Sequence, residues 1–81
     1  MNKLLAVSGY IRAYDKDKGG NVIQTLLETD EMGKYIIDAS GLGNELINHI
    51  DKRVVVIGSI LHQNYMDFEM LIVKKFTIAE D

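Results

Sequence analysis

Three stretches place chemistry-bearing residues at suggestive spacings, and each competes with a plainer structural reading. "DKDKGGNVIQTL" matches a calcium loop at its first, third, sixth and eighth positions, Asp15, Asp17, Gly20 and Val22. Its fifth position is Gly19 and its twelfth is Leu26, so two oxygen ligands are missing, one of them the bidentate carboxylate. The flanks also read as strands where a calcium loop has helices, so a hairpin loop is the expectation. "GLGNEL" (41–46) opens like a dinucleotide-binding turn, but Leu46 stands where the third glycine belongs. The strand that follows has no acidic residue for a ribose, and the chain is too short for a paired nucleotide fold. Gly41 and Gly43 are read as letting the chain turn from a strand into a helix. His49 and His62 have no cysteine to join them and no His-x-x-x-His spacing, so they are expected to be solvated and not zinc ligands. Ser8, Ser40 and Ser59 lie in no nucleophile context, and no acid–base pair stands out from the surface carboxylates. The chain is therefore read as non-enzymatic, with no cofactor and no metal.

Composition bounds what the elements around these residues can be. At 81 residues, one domain over 1–81 is expected, near the size where a single core only just suffices. With 47% apolar and 26% charged residues, the balance is that of a globular protein. No cysteine is present, so disulfides and thiolate metal sites are excluded as sources of stability. The first residues carry one lysine and an apolar run of only Leu4 to Val7, well short of the roughly 7–15 residues of a signal-peptide core. No stretch approaches the ~18 apolar residues of a membrane span, and a cytoplasmic location without membrane contact is expected. A net charge of −3 and a pI near 5.2 supply no general attraction for nucleic acid or anionic lipid.

Five β-type phrases, interrupted by one helical phrase, have to position everything else. The first runs from about Lys3 to Tyr14, with Val7, Gly9, Ile11 and Ala13 on one face and Ser8, Tyr10, Arg12 and Tyr14 on the other. Asp15–Asn21, with its paired glycines, is a hairpin loop signal. Val22 to Thr29 forms the second phrase. Asp30–Gly33 then turns the chain into a short third one, Lys34 to Asp38. Leu42, Leu46, Ile47 and Ile50 approximate a helical stripe of two or three turns, with Asn44 or Ser40 as its cap. A helix so short needs packing to hold it. Arg53 to His62 and Phe68 to Ile78 are the fourth and fifth strands, joined by a polar loop over His62–Asp67. In Val54–Ile57 and Met70–Val73 both parities are apolar, the pattern of strands covered on both faces.

Three strands, a short helix and two strands is the order of an all-β, five-stranded Greek-key barrel of the OB type, with the helix between strands 3 and 4 plugging one end. Gly9 and Gly58 suit the coiling such strands need. An SH3-like barrel is the alternative, and it requires the helical phrase to shrink to one 3₁₀ turn. "VSGYIRAYD", "KRVVVIGSIL" and "FEMLIVKKFTI" resemble the first, fourth and fifth strands of small bacterial OB-fold domains, including those that bind single-stranded DNA or tRNA anticodons. The resemblance covers almost the whole chain.

That resemblance implies a ligand face on strands two and three, flanked by the first hairpin loop and the loop joining strands four and five. Tyr14, Tyr35 and Tyr65 would be its stacking platforms, and Arg12, Lys16 and Lys34 its phosphate contacts. The surroundings oppose this. Asp15 and Asp17 interleave with Lys16 and Lys18, and Glu28, Asp30, Glu31 and Asp38 add negative charge near strands two and three. The surplus of apolar residues points to a second surface. Val55, Ile57, Leu61, Leu71 and Val73 are read as one face of strands four and five left for a protein partner or a second copy of the chain.

Overall fold

β1 (Leu5–Lys16) is paired along both edges, antiparallel with β2 (Val22–Thr29) on one side and with β4 (Arg53–Tyr65) on the other. β2 pairs antiparallel with the four-residue β3 (Lys34–Ile37), and β3 pairs parallel with β5 (Phe68–Ile78). The antiparallel β4–β5 hairpin completes a closed barrel in the order β1-β2-β3-β5-β4. A short helix, α1 (Leu42–Glu45), runs directly into a 3₁₀ turn, Leu46–His49, between β3 and β4. The structure, a computed structural model, describes residues 4–65 and 68–79, with 62–65 described as backbone only. This all-β, five-stranded Greek-key arrangement is compatible with an OB-type barrel.

The period-two pattern decides what the barrel encloses. Val7 and Ile11 from β1, Leu27 from β2, Tyr35 and Ile37 from β3, Val54 and Val56 from β4, and Leu71 and Val73 from β5 form one buried cluster. Leu46 plugs it from the helical segment and is wholly buried, which is what holds so short a helix in place. Gly58 lies where strands crowd: a Cβ there would stand 2.0 Å from the backbone oxygen of Ile72. Gly43 has the same role under the helix, where a Cβ would stand 1.8 Å from the Asp38 backbone oxygen.

The apolar runs of β4 and β5 place one parity inward and the other outward, and a bulge decides which parity of β5 is inward. Along β4–β5, Ile57 faces Lys75 while Gly58 faces Val73, leaving Lys74 unopposed. Inward facing therefore passes from Leu71 and Val73 to Phe76 and Ile78, switching parity once. A second irregularity leaves Tyr14 unopposed in β1, between Ala13↔Thr25 and Asp15↔Gln24.

Several expectations are corrected. The helix is not capped by Asn44 or Ser40; Gly41 occupies the cap position at φ 59 with no side-chain bond, and Ser40 Oγ donates to Asp38 Oδ2. β4 runs to Tyr65, so the expected loop over His62–Asp67 is mostly strand, and Met66 and Asp67 lie outside the described residues. Leu71 and Val73 do not share a face with Val55, Ile57 and Leu61. The first two point into the core, because β5 turns its odd-numbered residues inward ahead of the Lys74 bulge.

Candidate binding faces

The outer surface of the barrel is organised by cross-strand rows. Arg53, Tyr10, Glu28 and Lys34 stand side by side on β4, β1, β2 and β3. The next outward row is Arg12, Leu26, Ile36, Met70 and Leu61, running from β1 through β2, β3 and β5 to β4. These rows contain most of the residues that a ligand on β2 and β3 would meet.

The arginines on them are already engaged. Arg12 Nη1 donates to Asp51 Oδ1 at 2.9 Å, and Nη2 lies 3.6 Å from Glu28 Oε1. Arg53 makes a two-pronged pair with Asp30, at 3.0 and 2.6 Å, the geometry of the stronger arginine–carboxylate contacts. Both guanidinium carbons also lie over the Tyr10 ring, 5.0 Å from its centroid for Arg12 and 5.7 Å for Arg53. The hydrogen bond to Asp51 is the main reason the Arg12 pKa is raised, with Glu28 adding to it. Arg53 is raised in the same direction, chiefly by its hydrogen bond to Asp30. Two cations and three carboxylates around one ring leave this patch with no surplus of positive charge for phosphate.

Of the three expected stacking platforms, Tyr35 is corrected outright. Its strand parity turns it inward beside Ile37 and Leu27, and only 9% of it is exposed. A ring that fills the core cannot stack on a base. Tyr14 is on the outside and half-buried, its ring meeting that of Phe68 edge to face at 6.0 Å and 87°. Tyr65 pairs through its backbone with Phe68 at the end of the β4–β5 hairpin, and its side chain lies outside what is described. Lys16 and Lys34 are exposed, the latter opposite Glu28. Arg53 and Phe68 were not singled out from the sequence. The parity of Phe68 with Met70 was the signal available for it.

The first hairpin loop closes on its own carboxylate. Asp17 Oδ1 accepts the backbone N–H groups of Gly19 and Asn21, each at 2.9 Å, and Asn21 Nδ2 donates to Oδ2 at 3.3 Å. These bonds, led by those from Asn21, lower the Asp17 pKa from its ordinary value. The calcium-like spacing is thus an Asx-closed turn in this fold. Among the described residues, no three His, Asp or Glu side chains gather as a metal site would require. His49 is half-buried and so only partly solvated, and the side chain of His62 lies outside the described residues. His49 packs on Phe76 with ring centroids 5.7 Å apart, and its Nδ1 is buried without a hydrogen-bond partner.

One cavity of about 270 Å³ lies between β1 and the β2–β3 turn, lined by Ala6, Val7, Ser8 and Thr29–Met32. It falls just below the usual ~300–1,000 Å³ of small-molecule sites. Of its two carboxylates, Asp30 and Glu31, the first is committed to Arg53.

The other outward surface belongs to β4. Val55 and Ile57 face out of the barrel and are half-buried, with Ser8 and Ala6 of β1 beside them and Thr77 and Lys75 of β5 on the other side. Leu61, further along the strand, is 37% exposed. Comparison with protein-family models and with curated proteins finds no match to this chain.

Proposed function

We propose that the chain is a single, non-enzymatic OB-type binding module that acts through protein–protein contact, with a second copy as the simplest partner. One observation carries this reading: β4 is apolar on both faces, and of its outward residues Val55 and Ile57 are half-buried and Leu61 is exposed. Outward valine and isoleucine on a strand flanked by small or polar neighbours gain from burial against a partner, at roughly 25 cal/mol per Å² of apolar surface covered. Sedimentation velocity over a wide concentration range tests it. Concentration-dependent dimers that Ile57→Lys dissolves support the reading, and a strict monomer at high concentration removes the second copy as partner.

A second reading, sequence-tolerant binding of single-stranded nucleic acid on the β2–β3 face, is supported by the outward Tyr14 ring beside exposed Lys16. The engaged arginines and inward Tyr35 weigh against it. Titration of labelled oligo-dT and oligo-U at stepped salt decides: binding that weakens as salt rises supports it, and no binding at low salt removes it.

A further inference from the structure

We infer that Tyr14 and Phe68 form an aromatic clasp across the outside of β2 and β3, closing that face over Leu26 and Ile36. The starting point is an anomaly of burial. Leu26 and Ile36 are cross-strand partners that alternate with the inward residues Leu27, Tyr35 and Ile37, so both side chains face outward. Neither belongs to the core cluster, yet Leu26 is 8% exposed and Ile36 not at all. The outside of a small barrel is normally wet, so something outside the barrel covers them.

The helical segment is spent elsewhere, since its buried side chain, Leu46, enters the core. The Tyr14–Phe68 contact is placed to do the covering. The two rings come from β1 and β5, which are not neighbours in the sheet. Two routes around the barrel could join them, and the register removes one. β1 pairs with β4 from Leu5↔Gly58 to Tyr10↔Arg53, so its continuation to Tyr14 passes the start of β4. Phe68 faces Tyr65, at the far end of that same strand. The rings therefore cannot meet across β4 and must meet across β2 and β3, where Leu26 and Ile36 lie. The unopposed position of Tyr14 in β1 is what frees its side chain from the ordinary pleat to reach over.

The clasp makes this face a closed surface and Tyr14 a covering group. Any ligand that uses the face must first part the two rings, so binding there carries a built-in threshold. This inference is independent of self-association through β4.

Nuclear Overhauser contacts in the unmodified protein test the geometry directly. Tyr14 and Phe68 ring protons are expected to contact the methyl groups of Ile36 and Leu26, and absence of those contacts overturns the clasp. Tyr14→Leu and Phe68→Leu, which keep apolar bulk, test its energetics. A double-mutant cycle is expected to show coupling of about 2- to 10-fold in the unfolding equilibrium constant, and additive effects overturn it. Tyr14→Ala should in addition raise binding of a hydrophobic dye over the unmodified protein while both remain folded. An unchanged dye signal means the face was never closed and overturns the proposal.

Discussion

Asp51 holds the Arg12 guanidinium at 2.9 Å while its own backbone stands at φ 64, the one described non-glycine residue with positive φ. Its N–H also donates to the Ile11 carbonyl at 2.6 Å, so a strained residue ties the turn before β4 to β1. The two roles separate by substitution. Asp51→Asn keeps a residue type that tolerates the left-handed region and removes the charge, so its effect on the melting temperature should be small and should vanish at high salt. Asp51→Val puts a β-branched residue at positive φ and should destabilise by about 1–2 kcal/mol more than Asp51→Gly. Urea titrations of the three variants check the order. Equal losses for Val and Gly would show that the backbone conformation is not what matters.

Tyr35 is a core residue, and its variants should behave accordingly. Tyr35→Ala is expected to cost about 3–5 kcal/mol, in the range of large aromatic deletions from a core. Tyr35→Phe should cost far less, because the ring volume is kept. If denaturant unfolding found Tyr35→Ala near neutral, its placement inside the barrel would be wrong.

Gly58 should not accept even a methyl group. With a Cβ position 2.0 Å from the Ile72 backbone oxygen, Gly58→Ala has to shift one strand against the other, an overpacking cost of about 1–3 kcal/mol. Gly20→Ala, with nothing within 4 Å of its Cβ position, offers the contrast: its cost arises from φ +86 and not from a clash. A core-variant signature, with lost protection of the β4–β5 amides in hydrogen exchange, is expected at Gly58 alone.

Asp17 links the first hairpin loop to pH. Its carboxyl titrates below the ordinary range because the folded loop donates hydrogen bonds to the charged form, Asn21 foremost. A lowered folded pKa contributes stability that is complete above the unfolded value and is lost as pH falls through the folded one. The Gly19 and Asn21 amide resonances should therefore shift in acid, with a midpoint below that of a free aspartate. Asp17→Asn should abolish that titration. A midpoint at or above the free value would contradict the loop geometry.

The architecture was legible because its signals are local. Turn chemistry at Asp15–Asn21 and Asp30–Gly33, and the helical phrase between strands three and four, each act within a few residues. β2 and β5 have the boundaries that the sequence implied. The faces were less legible because they depend on bulges. One extra residue at Lys74 switches which parity of β5 is inward, and no local pattern announces it. That single irregularity is why Leu71 and Val73 read as outward, and why an apparent five-residue face reduces to Val55, Ile57 and Leu61. The engagement of Arg12 and Arg53 was also hidden, since Asp51 and Asp30 reach them only after the barrel closes.

β3 is four residues long and is the barrel's sole parallel partner to β5, and this has a consequence for how the chain acquires its shape. The β1–β2 and β2–β3 hairpins close over short loops and can form early. The β3–β5 and β1–β4 seams join segments far apart in the chain and carry a loop-closure cost that no local turn offsets. Ring closure should therefore be the slow event, placing refolding in the millisecond-to-second range of β-rich barrels. Changes at the β3–β5 seam, such as Ile37→Val, should alter the refolding arm of a chevron plot more than changes in the first hairpin do. The shortest strand of the molecule would then set the pace for the whole.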